Sequence, residues 1–260
     1  VQTQFTYDAF LQWWGSFFWP FVRIGALMAI MPVLSARTIP TRIKLLITLI
    51  VTATIAPSIH LDHAIDPFTN EGVFMAIEQA GIGLAMGLAF VVVFQAITLA
   101  GQMVANGMGL GFASLVDPST GTSSPVISQF YTIIVTLFFV LLDGHLLIIQ
   151  MLHDSFIQLP LNGHFLSTAT IKSLVDWGSH IFAWGVVVAL PAVTALLLAN
   201  MALGLIGRAA PTLNIFSIGF VITILGGLLL LWWLLPLLLE QFQFFMRETF
   251  ALVHNYRLTQ

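Results

Sequence analysis

The side chains best placed for chemistry in this sequence are polar residues set among apolar ones. Gln95, Thr98, Gln102 and Asn106 recur at spacings of three, four and four, which puts them on one helix face. Such residues in a membrane helix bond to neighbouring helices; the sharper reading is a wet wall running into the segment that follows. That segment is a glycine-rich break, Gly107-Met-Gly-Leu-Gly-Phe-Ala-Ser-Leu-Val-Asp-Pro-Ser-Thr-Gly-Thr-Ser-Ser-Pro125. It matches neither standard glycine fingerprint of a nucleotide loop, and no lysine follows it. His60 and His63 lie three apart in an acidic loop, and His145, His153 and Asp154 form a second sparse group. Neither group has a third metal ligand placed by spacing, so solvated or capping roles are expected. Arg23 and Arg208 have the most apolar surroundings of the charged residues. Charge in such places is expensive. Pairing with acidic residues of neighbouring subunits is expected for both, or snorkelling from a hairpin turn for Arg208. No serine-protease, rhomboid-like, HExxH or nucleotide motif occurs, so the sequence supports no enzymatic role.

The elements that must carry these residues are set by composition. Of 260 residues, 58% are hydrophobic and 7% charged, where a soluble domain has about 25% charged. This is the composition of an integral membrane protein, or of a subunit covered on almost all sides. A net charge of −3 gives no support for nucleic-acid binding, and zero cysteines exclude disulfides and thiolate metal sites. The first twelve residues lack a basic start and carry Asp8, so they do not read as a cleavable signal peptide.

A membrane-spanning helix needs about 20 apolar residues. The first run, Phe10 to Leu34, is interrupted by Pro20 and Pro32. Leu45 to Ile59 is short for a span. Val73 to Val104 is long and carries the close-packing pair Gly83 and Gly87. Val126 to Leu142 ends at Asp143-Gly144, and residues 161–180 read as a loop or interfacial helix. Ile181 to Ile206 and Asn214 to Leu239 form a hairpin through the turn at 207–213, and an amphipathic tail follows from Glu240. The basic loop 35–44 and the acidic loop 60–71 are expected on opposite sides of the membrane, with the N-terminus opposite the cytoplasm.

Lipid forbids unpaired backbone groups, so the 107–125 break must lie outside the membrane, be buried in protein or line a cavity. Leu110, Phe112, Leu115 and Val116 are too apolar for an ordinary exposed loop, and Asp117, Pro118, Gly121 and Pro125 stop a helix from continuing. An apolar plug or packed re-entrant loop is expected.

Three blocks carry a family resemblance: Asn106 to Gly121 with Pro125-Val126 and Ser128-Gln129-Phe130; Leu141-Leu-Asp-Gly-His-Leu146; and Arg208-Ala-Ala-Pro-Thr-Leu-Asn-Ile-Phe216 with Gly219-Phe220. Together they resemble the FliR family of flagellar type III export-gate proteins, over essentially the whole chain. The resemblance implies an all-α membrane-associated fold of stacked helical hairpins with broken helices, built to pack in a helical hetero-oligomeric channel. It further implies a single subunit, with residues 1–180 similar to FliP and 181–260 to the FliQ hairpin. The implied partners are FliP, FliQ, FlhB, the lipid bilayer and unfolded flagellar proteins in transit. No cofactor is implied. The implied site is the inner membrane at the flagellar basal body, partly raised toward the periplasm. The plug of that family maps onto Met108, Gly109, Leu110, Gly111, Phe112, Leu115, Val116, Asp117 and Pro118. Arg208, Pro211 and Asn214 map onto subunit contacts. A virulence-injectisome subunit would share this fold and gate role. A secondary transporter would need two related halves with paired broken helices, and no such halves are visible.

Overall fold

The computed structural model describes residues 7–35, 39–59, 66–111, 126–161, 168–210 and 215–255. They form α1 (Tyr7–Ile30), α2 (Pro32–Ser35), α3 (Thr41–Ile55) with a 3₁₀ turn (Ala56–Ser58), α4 (Asn70–Gly107), α5 (Val126–Leu141), α6 (Gly144–Gln158), α7 (Thr168–Gly178), α8 (His180–Ala209) and α9 (Ile215–Asn255). The described residues contain no strand. A helix closes its backbone hydrogen bonds within one segment, which is what an apolar chain without water requires. Four stretches are long and apolar enough to cross a membrane: Thr41–Ser58, Asn70–Gly107, Ile171–Ala209 and Gly219–His254. The pair α5 and α6, bent by 65°, makes a fifth if counted as one span. The chain is an all-α membrane protein.

Several boundaries differ from the sequence reading for physical reasons. Pro20 lies inside α1 and does not end it; one lost backbone donor is tolerated in helices of this kind. Pro191 and Pro236 are likewise internal to α8 and α9. The short run at 45–59 reaches spanning length by starting at Thr41 and adding the 3₁₀ turn. The break expected at Asp143-Gly144 is a bend: Asp143 takes a left-handed φ of 54° and α6 starts at once. Residues 168–178 are helical, and α9 runs through the expected tail to Asn255.

The described residues fall into two compact units. The first draws on Val1–Val91, Asp143–Gly178 and Glu248–Gln260, the second on Val92–Leu142 and Ser179–Arg247. In the first, α1 lies directly on α4, because a side chain at Gly83 would overlap the Arg23 carbonyl oxygen and one at Gly87 would meet Ile30 Cγ1 at 2.6 Å. Phe90 of α4 packs edge-on against Phe250 of α9 at 5.2 Å, and Trp177 of α7 donates its indole N–H to Ala89 O at 3.3 Å.

In the second unit, α4 meets α5 at Gly101, where a Cβ would sit 2.7 Å from Ser128 Cα. Gly185 brings α8 onto the Ala96 carbonyl in the same way. Phe94 edges onto Phe139 at 6.1 Å and Phe242 at 6.0 Å, while Trp184 stacks flat on Phe245 at 4.3 Å. Only 22% of an apolar 18-residue stretch within Gly219–His254 is buried inside the chain, and Leu225, Leu229, Trp232 and Trp233 stand exposed. Apolar surface on this scale requires a cover of lipid or other protein.

Candidate functional site

The glycine-rich break begins where α4 ends, inside the second unit. The last residues of α4 close in a Schellman motif: Gly109 N–H donates to Asn106 O and Leu110 N–H to Ala105 O, both at 3.0 Å, with Gly109 at a φ of +82°. Only glycine takes that conformation cheaply, which fixes the helix end at this residue. A helix end also leaves carbonyls without internal donors. Here the next two find side chains from distant helices: Asn200 of α8 donates Nδ2 to Gly107 O at 3.0 Å, and the Thr223 hydroxyl of α9 shares its one proton between Met108 O at 3.2 Å and Phe220 O of its own helix at 3.1 Å.

The Met108 side chain is fully buried. It lies over Gly227 of α9, where a Cβ would come within 2.5 Å of Met108 Cγ and 2.8 Å of its Sδ. Gly107 packs on Leu196, and Gly109 faces the Phe220 ring. The chain therefore leaves α4 through a fitted seat made by α8 and α9. The sequence reading did not find Asn200, Thr223 or Gly227. Their signal was faint: one amide in the apolar α8, and one hydroxyl beside a glycine pair in the leucine run of α9.

Of the expected plug residues, Met108 is buried and Leu110 and Gly111 are half-buried. Phe112, Leu115, Val116, Asp117 and Pro118 lie outside the described residues, as do Pro211 and Asn214. On the polar face, Gln95 and Asn106 are exposed and Gln102 is half-buried. Thr98 shares a 3.1 Å hydroxyl contact with Thr132 of α5, so this face includes an interhelical bond. Arg208 is exposed in the last turn of α8.

A second buried polar cluster occupies the first unit, around Arg23, which is 0% exposed. Its Nε donates to Gln79 Oε1 at 2.8 Å, Nη1 to Ser155 O at 3.0 Å, and Nη2 to Leu159 O at 2.9 Å. The Phe156 ring centroid lies 4.1 Å from the guanidinium carbon. Its hydrogen-bond partners within the chain are neutral acceptors, with the charge of Glu78 acting on it as well. Carbonyls at the C-terminal end of α6 suit a cation because they carry the negative end of the helix dipole. Two buried donors near this cluster, Trp19 Nε1 and Gln79 Nε2, have no acceptor among the described residues. His153 Nδ1 lies 3.4 Å from Asp154 Oδ1, and the described residues bring no three His, Asp or Glu side chains together as a metal site.

Residues 14–249 match a family described as bacterial export proteins, family 1. The chain is 37% identical over 250 residues to the flagellar biosynthetic protein FliR of Escherichia coli (strain K12), covering 96% of this chain and 95% of that protein. It is 38% identical over 243 residues to the FliR of Pectobacterium carotovorum subsp. carotovorum, covering 94% and 93%. The similarity extends to the FliR of Bacillus subtilis (strain 168), at 26% over 220 residues and 81% of this chain.

Proposed function

The chain belongs to the bacterial export proteins, family 1, and from that premise we propose that it is a membrane component of the flagellar protein-export apparatus. The observation that carries this reading is identity to flagellar biosynthetic proteins along nearly the full length, 96% of the chain in one case. The apolar helices fit a place in the bacterial inner membrane, and their exposed faces fit a subunit that works inside an assembly.

Within that apparatus the chain forms the closed entrance of an export channel with FliP-type and FliQ-type subunits, and FlhB-type subunits dock on it. Residues 1–180 take the FliP-like part and 181–260 the FliQ-like hairpin, with Arg208, Pro211 and Asn214 at subunit contacts. The assembly sits partly raised toward the periplasm. The segment that leaves α4 is the plug, running from Met108 to Pro118 with Leu110, Phe112, Leu115 and Val116 as its apolar stoppers. An apolar constriction excludes water and ions because wetting it is unfavourable. An unfolded flagellar protein displaces the plug, and the energy for transport comes from other components. The chain itself is not an enzyme on this reading.

The test is deletion of residues 112–120 in cells that still assemble the complex. The expected result is a leak of small solutes through the resting gate. An assembled deletion mutant that stays tight refutes the plug. Co-purification with FliP-type and FliQ-type subunits checks the assembly; a chain extracted alone from cells expressing all of them argues against it.

A further inference from the structure

All four carbonyls at the end of α4 have partners, and two of those partners come from helices about 90 and 115 residues away. Ala105 O and Asn106 O are taken by the local turn, Gly107 O by Asn200, and Met108 O by Thr223. Thr223 is 4% exposed and Met108 is fully buried. The space for the Met108 side chain exists only because residue 227 has none. Three contacts from two helices thus converge on two residues, Gly107 and Met108, and the local turn ties Gly109 and Leu110 to them. A segment that swings during transport needs an end that yields, and this end is held on several sides by unrelated groups.

We propose that Asn200, Thr223 and Gly227 are positioning residues that keep Met108 seated throughout export, so that chain movement starts only after Leu110. The inference rests on the export role given above and narrows it: the first residues of the expected plug are its fixed root. It requires the 108–227 contact to persist while substrate passes.

The absence of native cysteine allows a direct test in the assembled gate. A Cβ at 227 falls 2.5 Å from Met108 Cγ, the position a cysteine sulfur takes, so a Met108→Cys, Gly227→Cys pair is close enough to be bridged by diamide. The expected result is a cross-link in most chains, with secretion of flagellar subunits within twofold of the same double-cysteine gate kept reduced. Secretion that falls more than tenfold on cross-linking and returns with reductant overturns the proposal. So does failure to cross-link in a well-assembled gate.

A second arm does not depend on a disulfide. Gly227→Ala crowds Met108 and is expected to raise small-solute leak or lower assembly, and Met108→Ala in the same chain is expected to restore the parent value. Absence of suppression overturns the seat. The 112–120 deletion, measured in the same cells, separates the two claims. A tight deletion with secretion unaffected by the cross-link removes the plug and leaves the root. A leaky deletion with secretion blocked by the cross-link removes the root and leaves the plug.

Discussion

Replacing Arg23 by methionine keeps a long, flexible side chain in place and removes all the guanidinium donors from the first unit's buried cluster. Ser155 O retains a bond from Leu159 N at 2.9 Å, and Ser155 Oγ still donates to Leu152 O. Gln79 Oε1 and Leu159 O lose their contacts with the guanidinium. An acceptor left bare in the interior costs about 1–3 kcal/mol, and the ring contact with Phe156 is worth about 1–2 kcal/mol when desolvated. Methionine packing offsets part of this, which leaves a loss of about 4 kcal/mol. For a chain of this size that corresponds to a fall in Tm of about 8–16 °C, read by thermal unfolding of the detergent-solubilised protein. Gln79→Leu in the same chain removes both the bare acceptor and the unpartnered Nε2, so the double variant is expected to regain about 1–3 kcal/mol over Arg23→Met. An Arg23→Met protein melting within about 2 °C of the parent, or a double variant no more stable than the single one, refutes the reasoning.

Other perturbations follow from the same contacts. Gly83→Ala places a methyl group on the Arg23 carbonyl and forces α1 off α4, so it is expected to lower stability by about 1–3 kcal/mol or more in the same melt. Gly109→Ala meets the positive φ at the end of α4 and costs about 1 kcal/mol, whereas Gly109→Asn, which tolerates that conformation better, costs less; equal losses refute the Schellman assignment. Trp184→Ala opens a cavity beside Phe245 and is expected to cost about 3–5 kcal/mol, with loss of the near-ultraviolet circular dichroism of the stacked pair. Thr98→Val breaks the hydroxyl contact with Thr132 and is expected to cost about 1 kcal/mol; a parallel loss in Thr132→Val, without additivity in the double variant, confirms one shared bond.

Helix existence was legible because the long apolar runs allow little else; helix ends were not. The third apolar run spans Val73 to Val104 by hydropathy and forms the helix Asn70–Gly107, since its ends are set by groups that hydropathy does not weigh. The proline at position 20 reads as a break in sequence, but the surrounding packing of α1 carries the helix through it. Arg23 was visible as a misplaced charge, yet its partners were not: two are main-chain carbonyls, which look the same for every residue type. The seat of Met108 was hidden for a similar reason. Its key position, Gly227, acts by having no side chain, and one glycine in a leucine-rich helix resembles any other. The glycine break itself stood out because glycine, aspartate and proline together are rare in such a background.

The reach of the Arg23 cluster along the chain bears on how the protein is made. Arg23 finds Ser155 only 132 residues later. At synthesis rates of about 5–20 residues per second, α1 waits about 7–26 s for the helix end that supplies the acceptors of Arg23. During that interval its guanidinium stays where water or lipid headgroups can solvate it, because an unpaired charge in the bilayer centre is expensive. α1 therefore cannot settle before α6 is made. Closure of the first unit thus waits on chain made long after α1: Ser155 and Leu159 for Arg23, and Phe250 for Phe90.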